Sequence, residues 1–339
     1  MEGFWNEVRV LVSGGAGFIG SHLVDSLVEL GARVRVADNL SRGSQSNLNK
    51  SIDKVELVRV DLTDPQSCRN ACSDMNVVMG LAAQVGGIQF NQDHQGDMFR
   101  LNVQINLNML EAARIVNVER YLAVSSACVY ARETSVPTPE TEGFLGHPEK
   151  TNFGYGWAKR FVEVQAKAYS SQYGMKIGVV RPYNTYGPRD NFSLEDSHVI
   201  PALIRRASDG ADPIEVWGSG EQTRSFIYVE DVVEGMLLGI SRHPEPDPIN
   251  IGSSEEISVA RLVQIILEKS GRHSSVVFDR TKPEGQVRRK PDVEKAKRLL
   301  GFEAKTSLID GIAKTVRWFS RSRREQQPVI GLESSRHSM

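Results

Sequence analysis

Val8-Arg9-Val10-Leu11-Val12-Ser13-Gly14-Gly15-Ala16-Gly17-Phe18-Ile19-Gly20 is the stretch on which the architecture turns. Val8 to Val12 has the length and β-branched composition of a strand. It runs into glycines at 14, 17 and 20, and then into an amphipathic stretch that reaches about Leu30. Glycines so spaced let the backbone turn tightly, approach a pyrophosphate and pack a helix on a strand. The helix start adds free amides and the positive end of a dipole. Such glycines alone are a weak signal. Here a strand precedes them, a helix follows, and Asp38 closes a second strand about 20 residues on, as a dinucleotide site demands.

Working outward, short β-branched runs alternate with longer amphipathic ones. Arg33 to Ala37, Val55 to Val60, Asn76 to Met79, Tyr121 to Val124 and Lys176 to Val180 all read as strands. Strands separated by helices pair in parallel and are covered on both faces, so the expected fold class is α/β, a Rossmann-type doubly wound parallel sheet. Gln95 to Asn117 and Phe153 to Tyr173 are long enough to be adjacent helices. Past the sixth strand, Arg181-Pro182, Gly187-Pro188, Asp212-Pro213 and Pro244-Glu245-Pro246-Asp247-Pro248 punctuate shorter elements. Residues 1–182 are therefore expected to form the NAD-binding domain that also carries the catalytic groups. Residues 183–320 are expected to form a smaller mixed α/β substrate domain, with segments near 220–252 returning to the sheet. The polar, Arg/Ser/Gln-rich residues 321–339 read as a disordered tail.

Composition narrows the function. The 339 residues carry 41 Lys and Arg against 42 Asp and Glu. A net charge of -1 supplies no global field for nucleic acid or an anionic membrane, so neither partner is expected. No run approaches the roughly 18 apolar residues of a membrane span, and the opening Met1-Glu2-Gly3 lacks a leader's pattern; the reading is cytoplasmic. Cys68, Cys72 and Cys128 are odd in number and form no C-x-x-C pair, which argues against disulfides and zinc. No metal is expected.

Asp38 also selects the cofactor, because a carboxylate accepts from free ribose hydroxyls and repels a 2′-phosphate; NAD is favoured. Arg42, in a Ser-Arg-Gly turn, is expected to be exposed rather than to hold a phosphate. Asp61-Leu62 either borders the adenine or caps the third strand. Farther on, Tyr155-Gly156-Trp157-Ala158-Lys159 puts a phenol and an ammonium four residues apart, on one helical face. A nearby cation and a positive nicotinamide both favour phenolate, so a tyrosine with an ordinary pKa of about 10 becomes a base near neutrality. Ser125-Ser126, ending the fifth strand, supplies a hydroxyl to orient a substrate oxygen.

Taken in order, SGGAGFIG at Ser13, ADNLSRG at Ala37, LAAQVGG at Leu81, SSACVY at Ser125, YGWAK at Tyr155, RPYNTYGP at Arg181, GSGEQTRSFIYVEDV at Gly218, NIGS at Asn250 and PEGQVRRKPD at Pro283 make the chain resemble the extended short-chain dehydrogenase/reductase family acting on nucleotide sugars. The resemblance covers roughly residues 7–320. It implies NAD held by Gly14, Gly17, Phe18, Ile19 and Gly20, by Asp38 and Asn39, and by Asp61 and Leu62. Leu81, Ala82, Ala83, Asn102, Tyr155, Lys159 and Tyr183 complete that set. It implies a catalytic Ser126, Tyr155 and Lys159, and a substrate met by Gln84, Gly86, Gly87, Ser126, Asn184, Val199 and Trp217. Arg224 and Arg288 are expected to clamp its phosphates, a role that suits a guanidinium fork.

Ala127-Cys128 stands where the family's 4,6-dehydratases carry an acidic pair, which disfavours dehydration. A thiol there resembles GDP-mannose 3,5-epimerase and GDP-L-fucose synthase, with His198 where the synthase supplies a histidine. Cys128 and His198 are thus candidate acid/base groups; the alternatives are a small packing residue and a cap for the helix starting at Val199. Asp38 favours an NAD-recycling epimerase over a net reductase. A C4-epimerase using Ser126, Tyr155 and Lys159 alone stays open, as does a fold that binds NAD without catalysis. The resemblance also implies a homodimer through a four-helix interface, for which Met98, Leu101 and Ile105 or Phe161 and Ala168 would form the second apolar stripe.

Overall fold

The computed structural model describes residues 2–194, 196–282 and 286–326. Strands β1 (Arg9–Ser13), β2 (Arg33–Asp38), β3 (Val55–Arg59), β4 (Val77–Gly80), β5 (Arg120–Val124) and β6 (Lys176–Pro182) alternate with helices. These are α1 (Glu2–Trp5), α2 (Phe18–Glu29), α3 (Pro65–Cys72), α4 (Ile88–Asp93), α5 (Gln95–Ile115) and α6 (Phe153–Tyr173). The later part adds β7 (Thr185–Tyr186), α7 (Val199–Asp209), β8 (Ile214–Trp217), β9 (Thr223–Arg224), β10 (Ile227–Tyr228), α8 (Val229–Arg242) and β11 (Ile249–Ile251). Then come β12 (Ile257–Ser258), α9 (Val259–Ser270), β13 (Val276–Asp279), β14 (Arg288–Arg289), α10 (Glu294–Leu300) and α11 (Leu308–Gln326).

The main sheet has the order β11-β6-β5-β4-β1-β2-β3 and every pairing is parallel. Alternate residues of β1 face opposite sides. Val10 and Val12 join Leu23, Leu27, Met236 and Ile240 in one core layer, and Leu11 joins Val78, Met109, Tyr121 and Val162 in the other. The expected return of residues 220–252 takes the form of α8, which supplies Met236 and Ile240, and of β11, which pairs with β6. A second core of Ile204, Val216, Leu262, Ile266, Ile312 and Phe319 holds the substrate half together.

The expected tail starts too early. Helix α11 continues to Gln326; Val316 and Phe319 are buried, and residues 321–325 beyond them are exposed or half-buried. Arg323 on this stretch pairs with Asp209. The remaining expected tail, 327–339, lies outside the described residues. Among the described residues no helix is long and apolar enough to cross a membrane, and no cluster of His, Cys, Asp and Glu is arranged to hold a metal.

Beneath the ends of β5 and β6 lies a buried polar network. Arg181 bonds both oxygens of Glu163, at 2.8 and 2.7 Å, and both side chains are almost wholly buried. Ser125 Oγ donates to the same Glu163, and Arg181 also donates to the Tyr130 hydroxyl at 2.8 Å. Tyr130 in turn donates to Asn250 on β11 at 2.6 Å. Glu163 sits on α6, two turns from Tyr155, so the network fixes the catalytic helix to the loop after β5. Removing one partner of a buried pair strands the other, and Glu163→Gln is expected to cost about 3–5 kcal/mol of stability. Urea melts of the variant measure this directly.

Candidate active site

The glycine loop meets the geometric demands of a dinucleotide. Gly14 has φ +70°, and a Cβ there would lie 2.9 Å from Ala82 Cα. A Cβ on Gly20 would lie 2.1 Å from the Gly14 carbonyl oxygen, so only glycine lets α2 pack this close. Helix α2 starts at Phe18 with no side-chain cap, leaving its amide end for an anion. Phe18 and Ile19 are half-buried, their side chains packed against the cores beside the glycine loop.

Asp38 is buried at the end of β2. It accepts from the Ala16 amide at 3.0 Å and from the Leu40 amide at 2.8 Å, which fixes the carboxylate beside the glycine loop. Asn39 is exposed and its side chain closes a turn on the Ser41 amide. Asp61 accepts from Thr63 N and Oγ1, both at 2.9 Å, and Leu62 is buried beside Cys68 and Ala71. Of the two sequence readings of that pair, capping is the one seen in its bonds.

Across the cradle, Ser13 Oγ accepts from the amides of Leu81 and Ala82 at 3.1 and 3.2 Å. Asn102, fully buried, brackets Gln84 by accepting from its amide and donating to its carbonyl, both at 3.0 Å. Asn102 therefore shapes the Leu81–Gly87 loop, and Ala83 lies within the stretch so fixed. Tyr183 is buried beside Tyr130, with ring centroids 6.1 Å apart. The residues present thus fit NAD: an amide end for the pyrophosphate and a buried carboxylate at the ribose end.

On the same helix α2, His22 bonds the Pro188 carbonyl at 2.9 Å, and burial pushes its pKa down to about 4. Between pH 6.5 and 4 the unfolded chain takes up a proton that the folded chain refuses. Stability therefore falls with acidification through that window, by up to about 1.4 kcal/mol per unit. His22→Gln is expected to flatten this part of the pH profile in urea melts.

At the catalytic end, Tyr155 and Lys159 lie one turn apart on α6, with Lys159 Nζ 5.5 Å from the Tyr155 ring centre. Lys159 is buried, donates to the Val124 carbonyl at 2.8 Å, and burial lowers its pKa to about 8. Burial pushes the Tyr155 phenol above its usual value, and a hydrogen bond with Ser126 draws it partly back. The expected phenolate is thus opposed by desolvation, and the nearby Lys159 ammonium is the cation placed to offset it. The two serines divide their roles: Ser125 faces the buried network, while Ser126 faces Tyr155 and accepts from the Cys128 amide at 3.1 Å. Cys128 is partly exposed, and its thiol receives Arg289 Nη2 at 3.9 Å.

The structure separates Arg288, the arginine expected from the sequence, from its neighbour Arg289. In β14 the two arginines point to opposite faces. Arg288 pairs with Thr223 across the ladder, and both side chains bond Glu256, Arg288 at 2.9 and 2.7 Å on the exposed side. Arg289 pairs with Arg224, so the arginine on Arg224's face is Arg289. The only sequence signal was the Arg-Arg doublet, and choosing between its members required the strand register.

Asn184 donates to the Ser225 carbonyl at 2.8 Å, next to Arg224. Val199 and Trp217 are each 37% exposed, and Lys282 Nζ lies 5.8 Å from a Trp217 ring centre. His198 is the N-terminal flank of α7, yet its side chain makes no capping bond, so the helix-cap alternative is not realised. It is exposed, and the chain just before it, Asp196-Ser197, lies against Gly87. Gly86 packs against Phe90 in the same loop.

A doubly wound sheet with this cradle and a Ser/Tyr/Lys constellation defines a nicotinamide-dependent enzyme of the short-chain dehydrogenase/reductase class. The profile of the NAD dependent epimerase/dehydratase family matches residues 10–252, and the chain belongs to that family. Among its relatives, a GDP-L-fucose synthase of Sinorhizobium fredii is 33% identical over 92% of this chain and 95% of its own. UDP-glucuronic acid decarboxylase 5 of Arabidopsis thaliana is 36% identical over 91% and 88%. The UDP-glucose 4-epimerase of Thermotoga maritima, solved with UDP-glucose, superposes with a TM-score of 0.85 at 32% identity, over 93% of this chain and 100% of its own. The protein is an NAD-dependent enzyme of nucleotide-sugar chemistry.

Proposed function

We propose that the chain is a redox-neutral nucleotide-sugar epimerase that oxidises the sugar transiently at C4, inverts C3 and/or C5 through Cys128 and His198, and restores C4. Bound NAD supplies the hydride acceptor and returns the same hydride, so no reductant is consumed. Tyr155 takes the proton of the C4 hydroxyl as the C4 hydride departs, while Ser126 orients the same oxygen and Lys159 balances the phenolate. A carbonyl at C4 acidifies the hydrogens of C3 and C5, so a base on one face removes a proton and an acid on the other returns one. Thiol and imidazole are both side chains that can give up and take back a proton in such an exchange. Tyr155 finally returns its proton to the C4 oxygen.

The observation that carries this reading is the Cys128 thiol, set in the Ser126 loop with the Arg289 guanidinium 3.9 Å away. A fixed cation attracts the negative charge that develops on sulfur as its proton leaves. Arg289 also favours a second reading. A guanidinium at the reacting end suits a sugar that carries a carboxylate, as in UDP-glucuronate. In that case Cys128 only packs, and inversion at C4 uses Ser126, Tyr155 and Lys159. Incubation with catalytic NAD and GDP-mannose, UDP-glucose or UDP-glucuronate in turn separates the readings. The expected result is a new stereoisomer by NMR with NADH absorbance flat over the full course. Stoichiometric consumption of reduced cofactor would instead make the enzyme a reductase.

The substrate is expected to be met by Gln84, Asn184, Trp217, Arg224 and Arg289. A homodimer through α5 and α6 is supported by their exposed Phe99, Leu107, Phe153 and Val164. Met98, offered above for that stripe, is buried within its own chain. Three free thiols suit a reducing cytoplasm.

A further inference from the structure

Residues 188–194 and 196–198 leave the substrate half and run across the cofactor half, fastened at successive points. The Pro188 carbonyl accepts from His22 on α2. Arg189, held in left-handed backbone at φ 65°, reaches Asp25 on the same helix at 2.8 Å, and Asp25 also accepts from Ser51 at 2.6 Å. Phe192 stacks on Phe319 of α11, with centroids 4.4 Å apart. At the far end Asp196 is held from several sides. Its carbonyl accepts from the Gly87 amide at 2.9 Å, and its carboxylate accepts from Asn191 at 2.7 Å and pairs with Arg42. Arg42 in turn lies over the Phe90 ring, 4.8 Å from its centre.

The topology says what this bridge spans. Strand β1 lies between β2 and β4, so its glycine loop lies between the turn after β2, which carries Arg42, and the loop after β4, which carries Gly87 and Phe90. A link from Arg42 through Asp196 to Gly87 therefore joins the two flanks of the loop on which the pyrophosphate must rest. Arg42 is also four residues past Asp38, at the ribose end of the groove. An arginine there would attract a ribose phosphate, and Asp196 occupies it.

We propose that Asp196 is a specificity-determining clasp: by holding Arg42 it retains NAD in the groove and denies the guanidinium to the 2′-phosphate of NADP. Two variants test both halves. Asp196→Asn and Arg42→Gln break the same ion pair from opposite sides, and the intact enzyme is loaded with NAD or NADP, with bound nucleotide followed after rapid gel filtration. Both variants are expected to release NAD about three- to tenfold faster, as suits a partly exposed ion pair. The NAD release rate of the parent enzyme is expected to rise with salt, which screens the pair, and that of the variants is not. Only Asp196→Asn frees a cation, so only it is expected to shift the NADP/NAD affinity ratio toward NADP, by about tenfold, the effect of one good charge-assisted contact. Unchanged NAD release in both variants overturns the proposal. So does an equal loss of affinity for both nucleotides, accompanied by a lowered melting temperature, because a merely structural contact behaves that way.

Discussion

Tyr155→Phe is expected to lower kcat by about 10²–10⁴-fold, the worth of a positioned acid/base group, while leaving NAD bound. The substitution removes a single oxygen from a side chain packed against Lys159 and Ser126, so packing changes little. What is lost is the phenol placed one helical turn from the buried Lys159 and bonded to Ser126. The asymmetry between binding and turnover is the point of the measurement. Steady-state rates and NAD content of the purified variant provide it, and a variant as active as its parent would refute the catalytic role.

Cys128→Ser is expected to have a comparable effect of about 10²–10⁴-fold on epimerisation, but on a different step. A hydroxyl keeps the shape and gives up its proton far less readily than a thiol. Oxidation at C4 requires Ser126, Tyr155 and Lys159 and should persist, so the variant should accumulate reduced cofactor transiently in a single turnover while product formation stalls. If Cys128 only packs beneath the loop, product forms at nearly the parental rate and no reduced cofactor accumulates.

The parts of this account legible in the sequence are those governed by local periodicity and spacing. Gly14, Gly17, Gly20 and Asp38 follow from one βαβ unit, and Tyr155 and Lys159 share a helical face whatever else the chain does. Arg289 was not legible. Choosing it over Arg288 depends on β14 pairing with β9 in one register, and those strands are 65 positions apart (288 less 223). Arg42 is exposed, as its Ser-Arg-Gly turn suggested, but its partner was not legible, since Asp196 lies 154 residues away. Long-range placement also explains Asn102, whose position on α5 is plain from periodicity but whose grip on Gln84 is not. The end of α11 illustrates the opposite error: Arg- and Ser-rich composition suggested disorder from residue 321, but the helix whose buried residues include Val316 and Phe319 runs on to Gln326, and Arg323 pairs with Asp209.

In the proposed reaction a carbonyl at C4 allows Cys128 and His198 to exchange protons on the neighbouring carbons. Turnover of the nucleotide sugar in deuterated water, with the product read by NMR, tests it most directly. Deuterium at C3 or C5 of the product, in a reaction that leaves NAD unchanged, is the predicted result. Product inverted at C4 alone with no solvent label at C3 or C5 would contradict it.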